Sequence, residues 1–89
     1  MSTLRERLEA AGVLETCERI CAGYGSTLEV CEASRQKTKT LARHHCWMVI
    51  RHTLDLSLPE IGQLWGRDHT TVLQGIRKAE AQLERVVAA

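Results

Sequence analysis

Apolar residues recur along this chain at intervals of three and four and show no sustained two-residue alternation, the mark of helices rather than strands. Leu4, Leu8, Val13, Cys17, Ile20 and Cys21 trace one stripe over residues 3 to 22, with glutamates opposite and Gly12 as a candidate break. Gly23-Tyr24-Gly25 stops this segment. Ser26, with Glu29 three residues on, has the form of a capping box and predicts a short helix to about Ala33. Residues 34 to 39 (SRQKTK) have no apolar member and predict an exposed loop. From Thr40 to about Leu54, the residues Leu41, Ala42, Cys46, Val49, Ile50 and Leu54 fall on overlapping inner positions of a longer helix.

Two helices close the chain. Ser57 with Glu60 forms another capping-box pattern, Pro59 sits in the first turn, and Ile61, Leu64 and Trp65 make one apolar face. Gly66 ends this helix and Asp68 is placed to cap the next, which runs from about His69 to Val87 with Val72, Leu73 and Ile76 inward. Trp47 and Trp65 are expected in the core. Together the pattern predicts an all-α bundle of about five helices. Its last part, residues 57 to 87, is a helix-turn-helix whose second helix presents its N-terminal residues to a major groove. Residues 1 to 12 form a helical extension of the same single domain.

With 89 residues the chain makes one small domain, without room for a nucleotide-binding unit and without G-x-x-x-x-G-K-[ST]. No apolar run approaches the roughly 20 residues of a membrane span, and no signal peptide opens the chain, so a cytoplasmic, nucleoid-associated protein is expected. The net charge is only +1, but it is unevenly spread. Residues 1 to 32 carry three arginines against six glutamates, whereas residues 33 to 78 carry eight lysines and arginines against Asp55, Glu60 and Asp68. Salt screens charges beyond about 8 Å at physiological strength, so this local excess governs what the protein attracts. A basic centre suits docking on phosphates, and the acidic N-terminal helix is the candidate surface for a protein partner, either a second copy or the transcription machinery. Cys17, Cys21, Cys31 and Cys46 lack the C-x-x-C spacing of a zinc site and are expected as core thiols, with no metal.

The chemistry concentrates at Arg67-Asp68-His69-Thr70-Thr71. A carboxylate accepts from the cytosine amine, an imidazole donates to a base acceptor, and a threonine methyl packs on the thymine methyl. Asp68 can be a base reader and a helix cap at once. Arg77 and Lys78 follow as candidate phosphate contacts. Nothing in the chain pairs a nucleophile with a base as an enzyme would require.

The run SLPEIG, a hydrophobic pair, a glycine and RDHTTV closely resembles the signature of the C-terminal DNA-binding domain of the bacterial replication initiator DnaA, a Trp-repressor-like fold. Ile20-Cys21-Ala22-Gly23-Tyr24 with Thr27-Leu28-Glu29-Val30 resembles that family's first helix, turn and second helix, and RQKTKTLAR (35 to 43) its basic loop and third-helix start. The likeness covers roughly residues 13 to 85. It implies base contacts from Asp68, His69 and Thr70, and backbone contacts from Arg67 and Thr71. It also implies a basic contact surface at Arg35, Lys37 and Lys39, and a phosphate contact from Arg43. Two departures stand out. Lys37 occupies the position of an arginine that enters the minor groove, and one glycine rather than two precedes Arg67. The family often has proline after the position of Arg43, where this chain has His44 and then His45; exposed helix residues are expected, the alternative being rings partly charged near DNA that add pH dependence.

The resemblance reaches one domain of the initiator and carries no ATPase work. The expected function is sequence-specific binding of double-stranded DNA by a small stand-alone protein without cofactor or nucleotide. The role expected is that of a transcription regulator of the kind found in phages, prophages or gene-transfer elements. The alternative is a replication accessory protein on DnaA-box-like sites. An interaction module that has lost DNA binding is the contrasting class, and retention of the whole R-D-H-T-T run argues against it.

Overall fold

Gly12, at φ 75°, divides the N-terminal apolar stripe into two helices, so the bundle has six among the described residues rather than five. The computed structural model describes residues 2–88, with side chains to residue 86. The helices are α1 (Leu4–Ala10), α2 (Leu14–Gly23), α3 (Leu28–Ala33), α4 (Lys37–His52), α5 (Leu58–Trp65) and α6 (His69–Ala88). No strand occurs among the described residues. None of these helices is long and apolar enough to cross a membrane.

Local chemistry sets the helix starts. Thr3 and Glu6 close a capping box on α1, and Ser57 and Glu60 close the expected one on α5. The box expected at Ser26 and Glu29 is absent. The Ser26 amide is drawn back to the Cys21 carbonyl (3.0 Å), finishing the turn after α2. Thr27 is therefore the extended residue before α3, and its hydroxyl accepts from the Val30 amide at 3.3 Å. The exposed loop is also shorter than expected. α4 already begins at Lys37, because the polar residues ahead of Leu41 form a solvent-facing first turn rather than a loop. Its N-cap, Gln36, makes no side-chain capping bond.

α4 is the central helix and packs against α2, α3, α5 and α6. It buries Ala42, His44, Cys46, Trp47 and Ile50. Leu54, expected inside, lies beyond the end of α4 and is exposed. The two tryptophans meet edge to face, their centroids 6.0 Å apart, and are the largest side chains of a core that has no phenylalanine. Around them lie Leu8, Val13, Leu28, Ile61, Val72 and Ile76. All four cysteines are buried free thiols. Cys21 Sγ is 3.9 Å from Cys46 Sγ, which in turn points at the Cys17 carbonyl at 3.7 Å. These contacts together with burial push the Cys46 thiol well above its ordinary value and keep it protonated.

The acidic N-terminal third neutralises much of its own charge. Arg5 on α1 bridges Glu18 of α2 (2.9 Å) and Glu29 of α3 (3.1 Å), and Arg19 pairs with Glu15. Arg7 reaches across to α5, its Nε donating to the Leu64 carbonyl at 2.8 Å.

Candidate nucleic-acid interface

The turn between α5 and α6 depends on two glycines. Gly66 takes the left-handed conformation (φ 66°), which reverses the chain at the end of α5. The Arg67 amide then donates to the Gly62 carbonyl at 2.9 Å. A Cβ on Gly62 would stand 2.5 Å from the Arg67 carbonyl oxygen, so only glycine permits so close a fold-back. One glycine before Arg67 is thus enough to complete the turn. The Asp68 carbonyl accepts the first bond of α6, from the Val72 amide at 3.0 Å.

Asp68, His69, Thr70 and Thr71 all emerge exposed from this start. Asp68 Oδ1 lies 3.2 Å from His69 Nδ1, which holds the two side chains against each other. The helix macrodipole adds partial positive charge at the same point. Four neighbouring side chains therefore offer a carboxylate, an imidazole ring, two hydroxyls and two methyl groups to whatever docks on the α6 start.

Arg67 and Arg43, expected as contacts to the DNA backbone, already have partners within the fold. Arg67 is half-buried and donates to the Glu32 carbonyl (3.1 Å) and the Trp65 carbonyl (3.5 Å), with the Glu32 carboxylate 3.6 Å away. Arg43 donates one nitrogen to the carbonyls of Cys31 (3.0 Å), Glu32 (3.0 Å) and Ser34 (3.4 Å), and lies over the Trp47 ring. Burial, with Arg67 nearby, lowers its pKa. Both guanidiniums gather the last carbonyls of α3, which carry the negative end of its dipole. Arg67 thereby ties the end of α3 to the turn before α6, and Arg43 ties it to α4.

Other cations stand in the loop and at the start of α4. Arg35 and Lys37 are exposed, and Lys39 is half-buried in the first turn of α4. Three cations at a helix start without an acidic residue concentrate positive potential instead of relieving it. Arg77 and Lys78 are exposed further along α6. Arg51 donates to the Leu56 carbonyl (3.1 Å) and His52 pairs with Glu80 (3.1 Å), which ties both to local structure.

The adjacent histidines are not the exposed helix residues they were expected to be. His44 is 8% exposed and lies tilted against the Trp47 ring, centroids 5.3 Å apart, while His45 Nδ1 meets the Tyr24 hydroxyl at 3.1 Å. Burial, assisted by Arg43, pushes the His44 pKa down to about 4. His45 is lowered by burial as well. α4 has helices on several sides, so two successive ring side chains both turn inward.

The family model of the bacterial DnaA protein helix-turn-helix matches residues 15–79. The chromosomal replication initiator protein DnaA of Thermomicrobium roseum is 42% identical over 82 residues, covering 90% of this chain and 17% of the relative. That of Deinococcus radiodurans is 36% identical over 70 residues (78% and 15%), and that of Gloeobacter violaceus 52% over 48 residues (53% and 11%). The chain thus spans less than a fifth of the length of these relatives. No solved structure matches it.

Proposed function

This chain belongs to the bacterial DnaA helix-turn-helix family, and from that premise we propose that it binds double-stranded DNA sequence-specifically and regulates transcription by occupying its site. The observation that carries this reading is the exposure of Asp68, His69, Thr70 and Thr71 together at the start of α6, on a turn fixed by Gly62 and Gly66. In it, Asp68, His69 and Thr70 read base edges in the major groove, with Thr71 beside them on the backbone. Arg35, Lys37 and Lys39 meet phosphates of the adjoining strand segment. Lys37, a compact and strongly hydrated charge, anchors phosphate instead of reading minor-groove width as arginine does. Arg43 and Arg67 contribute by holding the two surfaces in register. The regulatory role is the kind expected of a phage, prophage or gene-transfer protein.

A second reading is favoured by the intact R-D-H-T-T run shared with the initiator signature. In that reading the chain occupies DnaA-box-like sites and modulates replication initiation. Binding to a DnaA-box duplex and to sites selected from random DNA, compared at physiological salt, separates the two. A selected operator unlike the box supports the regulator, and the box itself supports the replication role.

The test of the base-reading assignment is the Asp68→Ala, His69→Ala, Thr70→Ala triple variant, measured by fluorescence anisotropy on the preferred site and on a shuffled duplex. Each lost base contact is expected to remove about 1–3 kcal/mol of preference while leaving the salt dependence largely intact. A triple variant that still prefers its site as the parent does would remove these residues from the recognition surface.

A further inference from the structure

The exposed side of α6 does not stop at the recognition run. Thr71, Gln74, Lys78, Ala81 and Arg85 are all exposed and recur at i, i+3, i+7, i+10 and i+14, so they form one stripe along the helix. At 1.5 Å per residue, Lys78 stands about 10 Å and Arg85 about 21 Å beyond Thr71. This stretch of α6 is one wall of a cleft with a volume of about 420 Å³, and the start of α4 is the other.

The cleft is lined by Arg35 and Lys37 on one side and Lys78 and Arg85 on the other, with Thr40 and His44 between them and no carboxylate. None of these four cations forms an ion pair among the described residues. The neutral state of His44 keeps a fifth charge out. Four like charges facing one another across a cleft are compensated only from outside. Two of them, Lys78 and Arg85, stand on the stripe that begins in the recognition run, which points to the compensating group. A length of about 21 Å corresponds to roughly six nucleotides of a strand that rises 3.4 Å per residue.

We infer that the α4–α6 cleft seats the sugar-phosphate backbone of the bound duplex, with Lys78 and Arg85 as phosphate contacts, so that the DNA footprint runs well past the start of α6. This inference rests on the DNA-binding reading above and adds Arg85, a residue that sequence reasoning passed over.

The test uses the full chain with Lys78→Ala, Arg85→Ala and both together, on the preferred and shuffled duplexes over a range of salt. Both residues are exposed, and an unchanged melting temperature confirms that the variants fold. Each single change is expected to flatten the slope of log K against log salt by about 0.9, and the double by about twice that, equally on both duplexes. Shortening the duplex by six base pairs on the cleft side should abolish the difference between parent and double variant. A double variant that keeps the parental slope overturns the inference. So does stabilisation of the parent, but not the double variant, by inorganic pyrophosphate when the DNA slope is unchanged, since the cleft then takes a small phosphorylated ligand. If the parent shows no site preference and the slopes still fall, the cleft assignment stands and the base-reading assignment fails.

Discussion

His44 and Arg67 show how position overrides residue type. The folded pKa of His44 is pushed down to about 4, against an ordinary value of 6.5. Between those values the unfolded chain takes up a proton that the folded chain refuses. The stabilising contribution is therefore complete above pH 6.5, falls as pH drops towards 4, and amounts to a loss of about 2 kcal/mol at pH 5. Urea unfolding at pH 7.5 and pH 5 should show this loss in the parent and a smaller one in His44→Gln; equal losses in both would mean that the imidazole is not responsible. The sequence points to residues whose functional groups suit contact with DNA. It could not tell that Arg43 and Arg67 already have carbonyl partners, because the one they share, Glu32, belongs to the end of α3, 11 residues from Arg43 and 35 from Arg67. Nor could it place His44, because a helix packed on several sides has no wide polar face for periodicity to reveal.

At the level of elements, two glycines make opposite demands on intuition. Alanine is ordinarily the better helix former by roughly 0.5–1 kcal/mol, so Gly62→Ala and Gly75→Ala would be expected to stabilise α5 and α6. Contacts reverse the sign. A Cβ at Gly62 meets the Arg67 carbonyl oxygen at 2.5 Å, and one at Gly75 meets His44 and Trp47 at 2.6 Å. Each change is expected to destabilise the fold by about 1–3 kcal/mol in thermal or urea melting. Gly62→Ala should in addition weaken site preference, because it displaces the start of α6 itself. A neutral or raised melting temperature for either variant would show that the neighbouring element gives way. The capping boxes divide in an instructive way. Ser57 with Glu60 was legible because Leu58 starts a helix directly after it. Ser26 with Glu29 has the same letters, but its serine amide belongs to the turn of α2, a tertiary fact that no four-residue pattern contains. The true start of α4 was hidden for a related reason, since a fully polar first turn looks like a loop.

For the whole molecule, the all-helical class, the buried thiols and the helix-turn-helix were legible because each follows from periodicity or from a long motif. The charge distribution was legible only in part. The sequence shows an acidic third; Arg5 and Arg19 pair with Glu15, Glu18 and Glu29 inside it, and only Arg67, paired with Glu32, brings a positive charge to it from elsewhere in the chain. α1 is bound into this arrangement at both ends of its influence. Leu8 lies in the common core, and Arg7 caps the Leu64 carbonyl in the last turn of α5. Detaching α1 therefore loosens the helix that sets the recognition turn, and a ligand bound at that turn must resist the detachment by mass action. Amide hydrogen exchange in residues 4 to 10 should accordingly slow when DNA saturates the protein, although DNA would not touch them. Unchanged rates there, alongside slowed exchange in α6, would mean that the two ends open independently. If the coupling holds, the N-terminal helix reports occupancy of the recognition turn through α5, and anything that grips it also bears on how long the protein stays on its site.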